Sequence, residues 1–258
     1  EKEAIAIMRK RYDKLIDWIS KNGRNVSISL KLSQFGLGLG LPYCFKAVEP
    51  LVRKAAAAGV FIWIDMEDDK YFKDILRAAL ILHIGNKKVG VAYQAYRKDA
   101  FDWVPFLIAE RIPIRLCKGA YRESNEVVFK KMKDIRRNFL ALAEKILGKN
   151  FLAIATHDAY LLNQIQIFAK KNKIHRGRFE FQMLFGLDRQ LNWLANLGYR
   201  CVVYVPFGKN WLPYILRRIW EKPFKTLRMA WNGWRQSGRK KEKSFLAGLF
   251  SHEHHHHH

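Results

Sequence analysis

The chain repeats one pattern seven times: a short, β-rich apolar run followed by a segment whose apolar residues recur at helical spacing. The predicted strands span residues 26–33, 60–66, 89–95, 114–119, 152–157, 179–184 and 201–206. Consecutive strands begin 22 to 38 residues apart, which leaves room for a helix in each connection and does not fit hairpins. The repeat therefore predicts an α/β chain built on a parallel sheet.

Continuous apolar strands of this kind fit either a doubly wound sheet or a (β/α)8 barrel. The glycines at 36–40 lack the G-x-G-x-x-G spacing of a dinucleotide-binding doubly wound sheet. A chain of 258 residues has the size of one barrel domain. We therefore predict a distorted (β/α)8 TIM-type barrel. Because the first predicted element is a helix, we expect the first barrel strand to have been encoded before Glu1.

The charge of the chain concerns its partners more than its fold. Lys and Arg number 47 against 23 acidic residues, a formal net charge of +24. Such an excess attracts polyanions or anionic membrane surfaces. Nucleic acid is not the expected partner, because no zinc finger or RNP-like aromatic pattern occurs in the sequence. The three cysteines show no C-x-x-C spacing, and we predict no metal site.

Three segments are expected from the composition. Residues 1–222 form the predicted barrel, and residues 252–258 read HEHHHHH, which resembles a purification tag. Residues 223–251 mix tryptophans and phenylalanines with a basic run. This basic aromatic extension is either a frayed end, a helix that packs on the barrel, or an amphipathic segment that lies on an anionic bilayer.

In a βα barrel the reactive groups come from the carboxyl ends of the strands. Polar side chains at those ends form a ring rich in cations: Lys31, Asp65, Glu67, Gln94, Tyr96, Arg115, Lys118, Tyr121, Thr156, His157, Asp158, Gln182 and Tyr204. The ring lacks a Ser-His-Asp arrangement and therefore favours an anionic ligand with a bulky cofactor over hydrolysis. Glycosidase-like acids in the string Asp65-Met66-Glu67-Asp68 are an alternative interpretation, but that mechanism needs carboxylates that face each other across a sugar.

Two local patterns point to anion binding. Residues 211–221 have helical apolar spacing, and Arg217 and Arg218 lie one turn beyond Tyr214. Each guanidinium suits a carboxylate or a phosphate, although a solvated basic face would show the same pattern. A strand that ends in Lys118-Gly119 also lets backbone amides approach a phosphate or a flavin ring closely.

Seven strings occur in this order along the chain: SLKLSQFGL (29–37), WIDMED (63–68), VAYQAY (91–96), IRLCKGAYRE (114–123), ATHDAYL (155–161), RFEFQMLFG (178–186) and YVPFGKNWLPYILRRIWE (204–221). With these strings in this order, the chain resembles the proline dehydrogenase family. The resemblance implies a flavoenzyme that binds FAD and oxidises L-proline to Δ1-pyrroline-5-carboxylate. The hydride passes from the carbon next to the ring nitrogen to flavin N5, and the electrons then pass to a membrane quinone.

The resemblance also implies roles for individual residues. Arg217 and Arg218 bind the proline carboxylate, while Leu184, Tyr204 and Tyr214 enclose the pyrrolidine ring. Lys31 lies beside the substrate, and Asp65 orients the arginine and tyrosine groups. The catalytic set is Lys31, Asp65, Tyr204, Arg217 and Arg218. The residues that match FAD-binding positions are Gln94, Arg115, Lys118, Gly119, Ala120, Tyr121, Thr156, His157, Asp158 and Glu221, with Asp158 standing where the family often has asparagine.

The sequence departs from the family pattern at two places. The opening strand, with its acidic residue near the site entrance, has no counterpart, and Arg122 replaces an aromatic flavin neighbour seen in some members. Expected partners are L-proline, a quinone and an anionic membrane surface, at the inner membrane of a bacterium or of a mitochondrion. Two other hypotheses remain at this point: a truncated barrel without turnover, and a polyanion-binding module built on an inert barrel.

Overall fold

A computed structural model describes residues 1–22 and 25–205. The described residues form seven α-helices, four short 3₁₀ helices and seven strands, and each predicted strand corresponds to an observed one. The elements are α1 (Lys2–Asn22), β1 (Ile28–Leu30), α2 (Leu41–Ala57), β2 (Ile62–Ile64), α3 (Phe72–Gly85), β3 (Val89–Gln94), α4 (Ala100–Glu110), β4 (Ile114–Cys117), α5 (Met132–Ile146), β5 (Leu152–Ala155), α6 (Ala159–Lys171), β6 (Phe179–Leu184), α7 (Arg189–Asn196) and β7 (Cys201–Tyr204).

The chain divides into two compact units, residues 1–180 and 181–258. In the first unit, strands β1 to β5 pair in chain order and every pairing is parallel. In the second unit, residues 181–184 of β6 pair in parallel with β7, so that Leu184 lies opposite Tyr204. Because each strand of the first unit is joined to the next through a helix, the carboxyl ends of β1 to β5 lie along one edge of their sheet.

The core of the first unit lies between the sheet and its helices. All six residues of β3 and all three of β2 are buried, as expected for parallel strands covered on both faces. Helix α1 buries Ile5, Tyr12, Ile16 and Ile19, which recur at helical spacing. The ring of Tyr12 packs on Phe35, with 5.6 Å between centroids. The first element of the chain is therefore a helix that packs on the residues after β1.

Several strands are shorter than predicted. Strand β1 covers Ile28–Leu30, three residues where the sequence predicted eight. Directly after Lys31 the backbone turns into a 3₁₀ helix, Leu32–Phe35, which ends at Gly36 with a φ of 86°. This left-handed conformation is open to glycine and strained for other residues. Among the described residues, no helix has the length and hydropathy that crossing a membrane requires.

Candidate functional site

The first polar cluster surrounds Asp65, the residue that follows β2. Its carboxylate accepts hydrogen bonds from Arg115 Nη1 at 2.9 Å and from Lys31 Nζ at 3.2 Å. Lys31 follows β1, and Arg115 lies within β4. Asp65 is 7% exposed and Arg115 is 8% exposed, so this ion pair is largely removed from water. The structure thus brings together three residues that the sequence predicted as site residues, and one carboxylate orients two cations.

The Arg115 side chain also reaches Ser29 of β1, which shows that the sheet is strongly curled. Its Nη1 and Nη2 both donate to Ser29 Oγ, at 3.1 Å each. Strands β1 and β4 are three steps apart in the sheet, and a flat sheet would separate them by roughly 14 Å. An arginine side chain can bridge them at hydrogen-bonding distance only if the sheet bends toward it, as in a barrel. The Arg115 guanidinium also lies 4.8 Å from the centroid of the Trp63 ring.

Tyr12 and Trp63 pack around this cluster and support it. Tyr12 of α1 donates its hydroxyl hydrogen bond to the Ser29 carbonyl at 3.2 Å. Burial, together with the negative charge of Asp65, raises the pKa of Tyr12 to about 12, so the phenol remains a neutral donor. On the next strand, a Cβ at Gly90 would lie 2.5 Å from the ring of Trp63. Glycine is therefore required where the tryptophan ring crosses β3.

The second polar cluster surrounds Asp158, at the start of α6. Asp158 Oδ2 accepts from Lys118 Nζ at 2.6 Å and from Arg136 Nε at 2.7 Å. Asp158 Oδ1 accepts from the backbone N–H groups of Tyr160 at 3.0 Å and Leu161 at 3.4 Å, so the same side chain caps the helix.

The environment of Asp158 keeps its carboxylate ionised. Burial by itself would raise the pKa of Asp158, but the hydrogen bonds from Lys118 and Arg136 outweigh it and lower the pKa from 3.8 to about 2. Its backbone N–H donates to Thr156 Oγ1 at 3.2 Å. The predicted cofactor residues Lys118, Thr156 and Asp158 therefore belong to one connected cluster.

The turn after β4 contains the predicted residues Gly119, Ala120 and Tyr121. Gly119 has a φ of 117°, and a Cβ at this position would lie 2.3 Å from the ring of Tyr96. The Tyr96 hydroxyl donates to the Tyr121 carbonyl at 3.1 Å. Tyr96 thus lies against the turn and fixes its backbone. The Tyr96 ring is thus one reason for glycine at this position, and the close approach of the turn to a ligand stays a prediction.

The remaining predicted residues fall into three groups. Gln94 is buried at the end of β3, and His157 follows β5 between Thr156 and Asp158. Leu184 and Tyr204 lie opposite each other in the unit of residues 181–258. Outside the described residues are Tyr214, Arg217, Arg218, Glu221 and the predicted segments 223–251 and 252–258.

Sequence reasoning missed four residues that support these clusters: Tyr12, Ser29, Trp63 and Arg136. Ser29 and Trp63 lie within the strings that carried the family resemblance and could have been selected from them. Tyr12 and Arg136 lie in helices whose patterns read only as a core position and a basic outer face. The pattern of a helix does not indicate which strand end a side chain reaches. The sequence therefore gave no indication that Tyr12 and Arg136 contact these clusters.

Known proteins of one family are similar to this chain in sequence. The family model "Proline dehydrogenase" matches residues 1–226. Proline dehydrogenase 1 of Bacillus subtilis (strain 168) is 33% identical over 226 residues, which cover 86% of this chain and 74% of that protein. The proline dehydrogenase of Deinococcus radiodurans is 34% identical over 221 residues, covering 81% of this chain and 70% of that protein.

Solved structures show the same fold. The crystal structure of proline utilization A (PutA) from Bdellovibrio bacteriovorus, inactivated by N-propargylglycine, matches 96% of this chain with a TM-score of 0.78 at 21% identity. The chain spans about a third of that protein, 31% of its length. PutA from Bradyrhizobium japonicum, solved as the D779Y mutant, matches 85% of this chain with a TM-score of 0.72 at 24% identity. The predicted fold class, a TIM-type barrel with parallel strands, is confirmed.

Proposed function

Because the chain belongs to the proline dehydrogenase family, we propose that it oxidises L-proline to Δ1-pyrroline-5-carboxylate with bound FAD. One observation carries the proposal: Asp65 holds Lys31 and Arg115 together next to the carboxyl ends of β1 and β2. Reactive groups of such barrels lie at this end. The two cations are fixed by a buried carboxylate before any ligand arrives, which is how a preorganised anion site is built.

The donor set fits FAD. The pyrophosphate of FAD is anionic, and its flavin ring accepts and donates hydrogen bonds. Arg115 and Lys118 supply cations, and buried polar groups lie on either side of β4: Gln94 at the end of β3 and Thr156 directly after β5. When bound, FAD would supply the redox chemistry, accepting a hydride at N5. The residues that we propose to hold it are Gln94, Arg115, Lys118, Gly119, Ala120, Tyr121, Thr156, His157, Asp158 and Glu221.

The substrate site is proposed in two parts. By the family resemblance, Lys31 and Asp65 would lie beside the substrate, and Leu184 and Tyr204 would border its ring. Arg217 and Arg218 bind the proline carboxylate with Tyr214 beside them, although all three lie outside the described residues. Two guanidinium groups on one carboxylate would fix the orientation of the ring, so the reacting carbon is presented in one position.

An anaerobic titration tests the proposal directly. The purified protein is reconstituted with FAD, freed of excess cofactor and titrated with L-proline while the visible flavin absorbance is followed. We expect the flavin absorbance to bleach and the oxidised product to appear in equal amount. A protein that retains FAD but is not reduced would support the truncated barrel without turnover. A protein that takes up no FAD would refute the proposal.

We further propose that the electrons pass to a quinone in a membrane, and that residues 223–251 provide the attachment. The support is compositional: tryptophans, phenylalanines and a basic run occur together in this segment. Co-sedimentation with anionic liposomes should weaken when residues 224–250 are deleted and when salt is added. Liposomes of neutral lipid serve as the control. Binding that is unchanged by both deletion and salt would contradict the attachment role.

A further inference from the structure

Arg136 lies outside every string that carries the family resemblance, yet it binds the same carboxylate as Lys118. We infer that Arg136 is a positioning residue for the cofactor site: it takes part of the charge of Asp158 and so leaves Lys118 able to bind an anionic group. The inference rests on the proposed function, because the anionic group is that of FAD.

The hydrogen bonds of Asp158 fix its side chain on both sides. Oδ1 is held by the backbone N–H groups of Tyr160 and Leu161 at the start of α6. Oδ2 is shared by Lys118 Nζ at 2.6 Å and Arg136 Nε at 2.7 Å. Because the helix cap holds the carboxylate in place, the Asp158 side chain cannot move toward either cation. The two cations therefore compete for one fixed oxygen.

Burial of Asp158 strengthens its ion pairs with both cations, so the competition between them affects how tightly Lys118 is held. The Asp158 side chain is 3% exposed, whereas the Arg136 side chain is 41% exposed. Water therefore does little to screen the carboxylate, and its charge is balanced by Lys118 and Arg136 together. Without Arg136, Lys118 would carry the whole interaction and would be drawn more strongly to Asp158. A lysine held in this way binds an added anion more weakly, because it must first give up part of its ion pair.

Arg136 is also placed to be rigid. It lies near the start of α5, and its guanidinium lies 5.6 Å from the centroid of the Tyr160 ring on α6. Its contacts with Asp158 and Tyr160 thus link α5 to the start of α6. The neighbouring Arg137 differs: its side chain is 70% exposed and pairs with Asp134, three residues earlier on the same helix. Arg137 therefore offers a matched control with the same charge.

The test measures FAD affinity in the full chain, by titration of the apoprotein with FAD and detection of flavin fluorescence. We expect Arg136→Gln to raise the FAD Kd about threefold to tenfold, the upper value equal to ~1.4 kcal/mol. Arg137→Gln should change it by less than about twofold, since exposed pairs contribute little. Arg136→Lys, which retains the charge, should restore most of the affinity.

A double-mutant cycle separates positioning from a general structural role. The substitution Asp158→Asn retains the helix cap but removes the negative charge with which Arg136 interacts. In an Asp158→Asn background, Arg136→Gln should therefore change the Kd by less than about twofold. An equal loss in both backgrounds would overturn the inference. Wild-type affinity in Arg136→Gln would overturn it while leaving the proposed function intact, and a wild-type protein that takes up no FAD would overturn both.

Discussion

Replacement of Asp65 by asparagine tests the charge arrangement of the site most directly. The substitution keeps the size of the side chain and removes its charge, leaving Arg115 buried without its carboxylate. Breaking a buried pair from one side typically costs about 3–5 kcal/mol. Arg115 retains the Ser29 hydroxyl and the Trp63 ring, and the asparagine oxygen can still accept one bond. We therefore expect Asp65→Asn to lower the free energy of unfolding by about 2–3 kcal/mol.

Glu67 provides a matched control two residues away. It is 7% exposed, as is Asp65, and its carboxylate accepts from the Ser33 backbone N–H at 3.1 Å and from the Ser33 hydroxyl. The glutamine oxygen can still accept from the Ser33 backbone N–H, and its NH2 group can donate to the Ser33 hydroxyl oxygen, so Glu67→Gln should cost about 1 kcal/mol. Urea denaturation measures both variants, and proline kinetics should show a much larger loss of kcat/KM for Asp65→Asn. Equal losses of stability in the two variants would refute the reasoning.

Three further predictions concern the turn after β4, the second cluster and the proposed carboxylate site. Gly119→Ala should destabilise the fold by at least about 2 kcal/mol through backbone strain and collision with the Tyr96 ring, whereas Gly85→Ala, which meets nothing within 4 Å, should be neutral or stabilising by thermal melting. The lowered pKa of Asp158 stabilises the fold at pH values above 3.8, which is the ordinary pKa of this carboxyl in the unfolded chain. This stabilisation should be lost as the pH falls toward about 2, the pKa in the folded protein. Urea denaturation from pH 5 to pH 2 should show that the free energy of unfolding of Asp158→Asn lacks this pH-dependent contribution. The same loss of stability toward low pH in the wild type and in Asp158→Asn would contradict the prediction. Arg217→Met should raise the proline KM steeply while the protein retains FAD, and an unchanged KM would refute its role in substrate binding.

The order of strands was predictable because it depends on local patterns. Each of the seven apolar runs became a strand, since a run of this kind between two helical segments has few other ways to be buried. The residues at which the strands begin and end were harder to predict from the sequence. Strand β1 stops at Leu30 because its pairing with β2 covers three residues and Gly36 allows the chain to turn soon afterwards. Pairing length is a property of two segments, and neither segment shows it alone.

The candidate site divides in the same way. Asp65, Arg115, Lys118 and Asp158 follow or lie within strands, so position in the repeat and family resemblance were enough to select them. Their partners could not be assigned in advance, because the contact between Asp65 on one strand and Arg115 two strands away depends on how tightly the sheet curls. Arg136 was missed for a related reason. Its helix shows a basic outer face, and only the three-dimensional packing of α5 beside α6 brings its guanidinium to Asp158.

Strand β4 connects the two clusters, and this placement explains how the site can tolerate its density of cations. Arg115 within the strand is balanced by Asp65, and Lys118 directly after it is balanced by Asp158. Each acid is anchored by a different part of the first unit, one after β2 and the other at the start of α6. Loss of one acid should therefore affect only the cations of its own cluster, Lys31 and Arg115 for Asp65 or Lys118 and Arg136 for Asp158. Because the cations are held separately, an anionic cofactor would meet two fixed charges along a single strand, and its binding would not require them to assemble first.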